Sequence, residues 1–342
     1  MSNPAGLKGS FIRDHLSSFI FCENNGLFEA GRRQTAVEYL GIGTAVYPKF
    51  INEYWTSKQR QANSLHEISY RACFKPQLPR FFINLLTKPE DTVYDPFSGR
   101  GTTVLEAAIL GRNIIANDIN PLSRILTRPR FFIPDIREVE ARLALIPIQG
   151  DKKPDLDISM FYHPETEAEI ISLRDYLKQR SDNGEEDEVD SWIRMVATNR
   201  LTGHSGGFFS VYTLPPNQAV SRESQKRINE KRRLKPEYRD TRNLILRKTK
   251  SLLGDVNQPL AKRLWNIGNK GLFLADDARS TKQIKDNTVD LTVTSPPFLN
   301  VVQYDDDNWL RCWFNSMEAS DIGVKITMLK DVHDWCEVMG KV

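Results

Sequence analysis

The chain is poor in the residues that build cross-linked or metal-held scaffolds. Its 342 residues include four cysteines (Cys22, Cys73, Cys312 and Cys336), far apart and with no CxxC pair. That spacing argues against a disulfide framework or a zinc module and suits a reducing cytoplasm. The five histidines are scattered without metal-ligand spacing, so no metal site is expected. No apolar run reaches the ~18 residues of a membrane-spanning helix. The opening stretch, MSNPAGLKGSFIRDHLSS, lacks the basic cap and apolar run of a secretory signal. There is no internal repeat and no low-complexity tract. The net charge, +3, is too small to point to a partner by itself.

What is present is an ordinary soluble composition, 40% apolar and 27% charged, at a length that suits about two domains. Charge is unevenly spread. Residues 181–190 (SDNGEEDEVD) are acidic and turn-rich and read as an exposed loop. Residues 221–250 hold twelve Lys/Arg against four Asp/Glu. Strand and helix signals alternate in two separated blocks. In the first, Thr92-Val93-Tyr94 runs into Asp95-Pro96 and the loop Phe97-Ser98-Gly99-Arg100-Gly101. A helix follows over 102–110, with Gly111 as its stop, and then a buried strand at 113–116 ending in Asn117-Asp118. This β-α-β pattern implies a parallel sheet. In the second block a strand at 272–274 runs into Asp276-Asp277, and another at 289–293 runs into Thr294-Ser295-Pro296-Pro297-Phe298. Between the blocks, 135–144 and 164–180 read as amphipathic helices, and 127–268 reads as a large insertion into the sheet domain.

A glycine loop between strand and helix lets backbone approach a ligand closely and aims N–H groups at it. By itself FSGRG fits a tight turn equally well. An acidic residue at the end of the next strand, Asp118, suits a ribose diol. The paired prolines of SPPF fix two φ angles and hold the preceding carbonyls stiffly outward. A serine hydroxyl and a proline carbonyl can then accept hydrogen bonds from an exocyclic amino group, and Phe298 offers a face for a base.

Taken together, DPFSGRGTTVLEA at 95–107 and TSPPF at 294–298 resemble the AdoMet-dependent amino-group DNA methyltransferases. The serine version of the second motif resembles their N4-cytosine members; N6-adenine enzymes usually carry Asp or Asn there. HEISYRACFKPQLPRFF at 66–82 and FLNVVQYDDDNWLRCWF at 298–314 extend the likeness to about 65–118 and 270–315. The resemblance implies a Rossmann-like α/β fold of the class I methyltransferase kind, with a large, mostly helical insertion. Its sheet would be incomplete at the C-terminus, since four of seven strands are accounted for and 298 is followed by only 44 residues. The implied divisions are an N-terminal extension (1–64), an AdoMet-binding half (65–126), an inserted DNA-recognition region (127–268) and a catalytic half (269–342). Phe97, Gly99 and Gly101 would line the cofactor, with Asp95, Thr102 and Thr103 near its amino-acid end, and Phe74 and Pro76 packed against it. Asp118 would take the ribose hydroxyls. Asp276 or Asp277 would accept from the adenine amino group. Ser295 and the carbonyl of Pro296, stiffened by Pro297, would hold the cytosine amino group, with Phe298 stacked on a base flipped out of the duplex. Carbon-5 methylation would need a cysteine in a Pro-Cys context, and none of the four has one.

Three other features compete for attention. Gly203-His204-Ser205-Gly206-Gly207 matches GxSxG, but a nucleophile elbow needs a strand before it and a helix after it. Here a helical pattern precedes it and a strand-like 208–212 follows, so a loop is expected. Leu214-Pro215-Pro216-Asn217 lacks an amino acceptor before the prolines and an aromatic after them, and reads as a turn. The basic run would be a solvated face in any other context. Inside a DNA methyltransferase, Lys226, Arg227, Lys231, Arg232, Arg233 and Lys235 become expected phosphate contacts on duplex DNA. The rival readings are N6-adenine or RNA amino-group methylation, or a non-catalytic DNA-binding subunit. The resemblance also admits a prokaryotic cytoplasmic setting, a companion restriction endonuclease and a complementary polypeptide that completes the sheet.

Overall fold

The computed structural model describes residues 9–25, 28–55, 62–71, 73–150, 152–213, 219–297, 306–327 and 329–342. Phe298 and the turn at Leu214, Pro215, Pro216 and Asn217 lie outside the described residues. The chain opens with α1 (Gly9–Ser18) and two antiparallel hairpins: β1 (Ile20–Asn25) with β2 (Phe28–Gln34), and β3 (Ala36–Ile42) with β4 (Ala45–Ile51). They stand apart from the main sheet, and every residue of β3 is exposed. An aromatic cluster fastens this end to α2 (Gln77–Leu86), with ring centroids of Phe19 and Tyr54 at 4.9 Å and of Tyr54 and Phe81 at 5.3 Å.

Next come β5 (Thr92–Asp95), α3 (Thr102–Ile109) and β6 (Asn113–Asn117). A series of helices follows: α4 (Leu122–Thr127), α5 (Ile136–Leu145), α6 (Pro164–Asp182), α7 (Glu188–Arg200), α8 (Arg222–Arg232), α9 (Thr241–Leu252) and α10 (Gln258–Lys270). The chain then returns as β7 (Leu272–Leu274) and β8 (Leu291–Thr292), and closes with α11 (Trp309–Phe314), α12 (Ala319–Lys325) and α13 (Val332–Met339).

The main sheet runs β7-β6-β5-β8, and every neighbouring pair is parallel. Its inner strands, with Val93, Ile114 and Ala116 buried, are the continuous apolar runs expected where helices cover both faces. Strand β8 is shorter than the 289–293 stretch predicted: only Leu291 and Thr292 join the ladder. From β5 the order proceeds one way to β6 and β7 and the other way to β8. The crevice at the carboxyl ends of β5 and β8 is therefore a topological switch point, where open α/β sheets bind ligands.

The helical series does not form a core of its own. One cluster of buried side chains runs from Val93 and Ile114 in the sheet through Phe131 to Trp192, Val196 and Ile245 in the helices. Helix α10, inside the stretch read as an insertion, packs against α3 and β6. Local chemistry starts the helices where the sequence implies: Asp135 caps α5 and Asp187 caps α7, each in a reciprocal capping box. The acidic stretch at 181–190 is not all loop. Asp190 is fully buried and accepts hydrogen bonds from Arg142 (2.5 Å) and Arg180 (2.9 Å). The predicted strand at 208–212 is absent; a single bridge links Gly203 to Tyr212.

Candidate active site

The glycine loop is shaped by its own backbone. Gly99 (φ +50°) and Gly101 (φ +75°) both occupy the left-handed region, and a Cβ on Gly101 would lie 2.5 Å from Thr127 Cγ2. The turn closes with the Gly101 N–H donating to the Ser98 carbonyl (2.6 Å). Asp118, at the end of β6, accepts from the N–H of Gly99 (2.8 Å) and of Asn120 (2.9 Å). One carboxylate thus hangs the loop after β5 from the turn after β6. Burial pushes the Asp118 carboxyl up to about 6, against those two hydrogen bonds.

The second motif meets this loop directly. Thr294 Oγ1 donates to Asp95 Oδ1 at 2.6 Å, across 199 residues of sequence, and the Phe97 N–H reaches the same oxygen at 3.2 Å. Burial pushes the Asp95 carboxyl up to about 7, although Thr294 and Phe97 pull the other way. Ser295 and Pro297 consequently line one cavity with Phe97, Gly99, Thr102 and Asp118.

Another wall comes from residues 65–71 and 73–76, held by buried charge. His66 Nε2 lies 2.8 Å from Glu106 Oε2 on α3, and Arg80 on α2 pairs with the other Glu106 oxygen. Burial lowers the His66 pKa more than Glu106 raises it. Arg100 Nη1 donates to the carbonyls of Ile68 (2.6 Å) and His66 (3.2 Å). Arg130, completely buried, donates to the carbonyls of Leu126 (3.0 Å), Leu65 (3.1 Å) and Arg100. Asn199 and Arg311 both donate to the Ser69 carbonyl, at 2.9 and 3.1 Å. So pinned, the segment presents Tyr70 and Phe74 to the cavity.

Of the residues singled out from sequence, Phe74, Phe97, Gly99, Thr102, Asp118, Asp277, Ser295 and Pro297 line this cavity. Pro76, Asp95, Gly101, Thr103, Asp276 and Pro296 are not among its lining residues. Pro76 is the N-cap of α2, and Asp95 and Thr103 are buried behind the loop. The two acids after β7 separate cleanly. Asp276 pairs through its backbone with the Asn117 side chain, while Asp277 faces the cavity in an ion pair with Arg279 (2.5 Å) that lowers its pKa. Sequence reasoning passed over Tyr70 and Arg71, although both stand in the segment quoted for the resemblance. It also missed Trp335, Val338 and Met339 of α13, which wall the cavity at i, i+3 and i+4. Their spacing was visible; their target was not.

The basic run divides between two helices. In α8, Arg227, Lys231, Arg232, Arg233 and Lys235 lie on or just beyond an exposed face. Lys226 pairs with Asp157 (3.7 Å), and the Arg232 guanidinium lies 4.3 Å from the Tyr212 ring centroid. The following helix, α9, turns Leu244, Ile245 and Leu252 into the core. The GxSxG stretch has no elbow: α7 precedes it and bends follow. Among the described residues no group of three or more His, Cys, Asp or Glu could hold a metal ion, and no helix is long and apolar enough to cross a membrane.

Comparison with known proteins bears out the resemblance drawn from the motifs. The N6/N4 family of DNA methylases matches residues 31–124. Type II methyltransferase M.MvaI of Kocuria varians is 26% identical over 260 residues, covering 67% of this chain and 52% of that protein. Type II methyltransferase M.BsoBI of Geobacillus stearothermophilus is 27% identical, covering 94% of this chain and 66% of that protein. Type II methyltransferase M.MjaII of Methanocaldococcus jannaschii is 29% identical over 85 residues, covering 25% of this chain and 16% of that protein. The chain thus spans between half and two thirds of the length of the first two relatives. No solved structure matches the chain significantly.

Proposed function

The chain is a relative of the N6/N4 amino-group DNA methylases, and on that footing we propose that it transfers a methyl group from AdoMet to the N4 amino group of a cytosine flipped out of duplex DNA. The observation that carries this reading is the junction of the two motifs. A glycine loop and a Ser-Pro-Pro turn leave adjacent parallel strands, are tied by Thr294 to Asp95 at 2.6 Å, and line one cavity.

The cavity residues fit AdoMet. Asp118 offers a carboxylate at the ribose position, and Asp277 rather than Asp276 offers one at the adenine amino group. Phe74 and Phe97 supply apolar walls, and Thr102 a hydroxyl near the amino-acid end. Bound AdoMet would supply an electrophilic methyl group on a sulfonium. The protein's share is positioning and fixed dipoles. An exocyclic cytosine nitrogen is a poor nucleophile because its lone pair is delocalised into the ring. Ser295 Oγ and the Pro296 carbonyl accept its protons at fixed positions, which favours pyramidalisation and turns the lone pair toward the methyl group. Residues 127–268 hold the DNA-recognition region in this reading, with the exposed basic residues of α8 against phosphates. A companion endonuclease is its natural partner in a prokaryotic cytoplasm.

Incubation with duplex DNA and methyl-labelled AdoMet, followed by nucleoside analysis, tests the reading. Label is expected in N4-methylcytosine, and Ser295→Ala should abolish it while sparing DNA binding. Label confined to N6-methyladenine would overturn the cytosine assignment. A Ser295→Ala protein as active as the wild type would remove the motif from the chemistry.

A further inference from the structure

Helix α13 has no buried residue, yet its inner side faces the cavity rather than the surrounding core. Trp335, Val338 and Met339 line the same space as Ser295, Gly99 and Asp118. A side-chain hydrogen bond joins it to the motif: Trp335 Nε1–H donates to the Pro297 carbonyl at 3.0 Å, across 38 residues of sequence. Neither proline of the pair has an N–H, so the carbonyls of this turn are oriented by ring geometry and by whatever donors reach them. With the Pro297 carbonyl accepting from the indole, Ser295, which lines the cavity, is left as the acceptor beside it. The indole that occupies it is also a large apolar surface against the turn, suited to exclude water from the space a planar base would enter.

We infer that Trp335 is a positioning residue for methyl transfer: α13 is a wall of the acceptor pocket, and its indole fixes the Ser-Pro-Pro turn in the geometry that receives an amino group. The inference rests on the methyltransferase reading above and adds to it a residue outside both motifs. It acts through the turn, so it should govern turnover more than cofactor affinity.

The test uses the full chain with Trp335→Phe, which keeps an aromatic ring and removes the donor, and Trp335→Ala, which removes both. Initial rates against DNA concentration at saturating AdoMet give kcat and KM, and calorimetric titration gives the AdoMet Kd. Trp335→Ala should lose about tenfold in kcat, the scale of one ordinary hydrogen bond, at an AdoMet Kd within about twofold of wild type. Trp335→Phe should fall between the two. Wild-type kcat in Trp335→Ala would overturn the inference, and so would an AdoMet Kd weakened in proportion to kcat, because α13 would then belong to the cofactor wall. A wild-type chain that binds AdoMet but labels no DNA would sink the methyltransferase reading itself, whereas equal rates in wild type and Trp335→Ala sink only the role of Trp335.

Discussion

Asp95 and Asp118 are carboxyls that folding holds against their preference for water. Both are pushed up by burial, Asp95 to about 7 and Asp118 to about 6. Between an unfolded value near ~4 and these folded values, the native state keeps protons that the unfolded chain releases. Their contribution is therefore least unfavourable at acid pH, and stability declines as pH rises from about 4 through about 7. Asparagine at position 95 could still accept from Thr294 and Phe97 but cannot ionise. The thermal midpoint of Asp95→Asn, relative to wild type, should thus rise between pH 5 and pH 8 by a few degrees. A difference that is flat with pH would show that Asp95 ionises freely in the folded protein. At this scale the sequence was informative about chemistry and poor about direction. FSGRG and SPPF announced a site, but nothing in ADDAR said which acid faced inward. In the fold Asn117 captures the Asp276 backbone from the neighbouring strand, and Asp277 is the one that lines the cavity.

At the scale of elements, the sequence pattern placed α3, α5 and α6 within a few residues of where they lie. It did less well for segments whose role depends on what they meet. Residues 208–212 have a strand's composition but no partner strand, so they form bends over Gly203. Residues 221–250 look uniformly basic, yet α9 buries one face while α8 leaves most of its charge in solvent. That division sharpens the DNA-binding expectation. Lys231→Glu, Arg233→Glu and Lys235→Glu together should weaken DNA binding. The slope of log affinity against log salt should fall by about 3, with AdoMet affinity unchanged. An unaltered salt slope would return α8 to an ordinary solvated face. Arg232 is a poorer choice for this test, because its guanidinium is engaged with the Tyr212 ring.

Taken whole, the molecule is less divided than its sequence. The stretch between the two motif blocks reads as an insertion because its helices interrupt the strand series. In space, Phe131 packs on Phe273 of β7 with ring centroids at 5.1 Å, and the core runs unbroken into α7 and α9. Native-state hydrogen exchange should therefore place the amides of β5, β6 and α7 in one slowest-exchanging class. Separate protection of α7 at a lower free energy would mark 127–268 as an independent unit. The reading of the site as a two-motif pocket came from residue types and order alone, since a glycine loop and a Ser-Pro-Pro turn carry local backbone constraints wherever they occur. So did the parallel sheet, from apolar runs punctuated by acids at their ends. Tertiary structure alone decided which residues line the cavity, Asp277 over Asp276 and Trp335 among them, and that buried Arg130 braces the loop behind it. The reason is physical. Propensity and periodicity act over a few residues and are written locally, whereas the hydrogen bonds from Thr294 to Asp95 and from Trp335 to Pro297 exist only once distant strands and helices have packed.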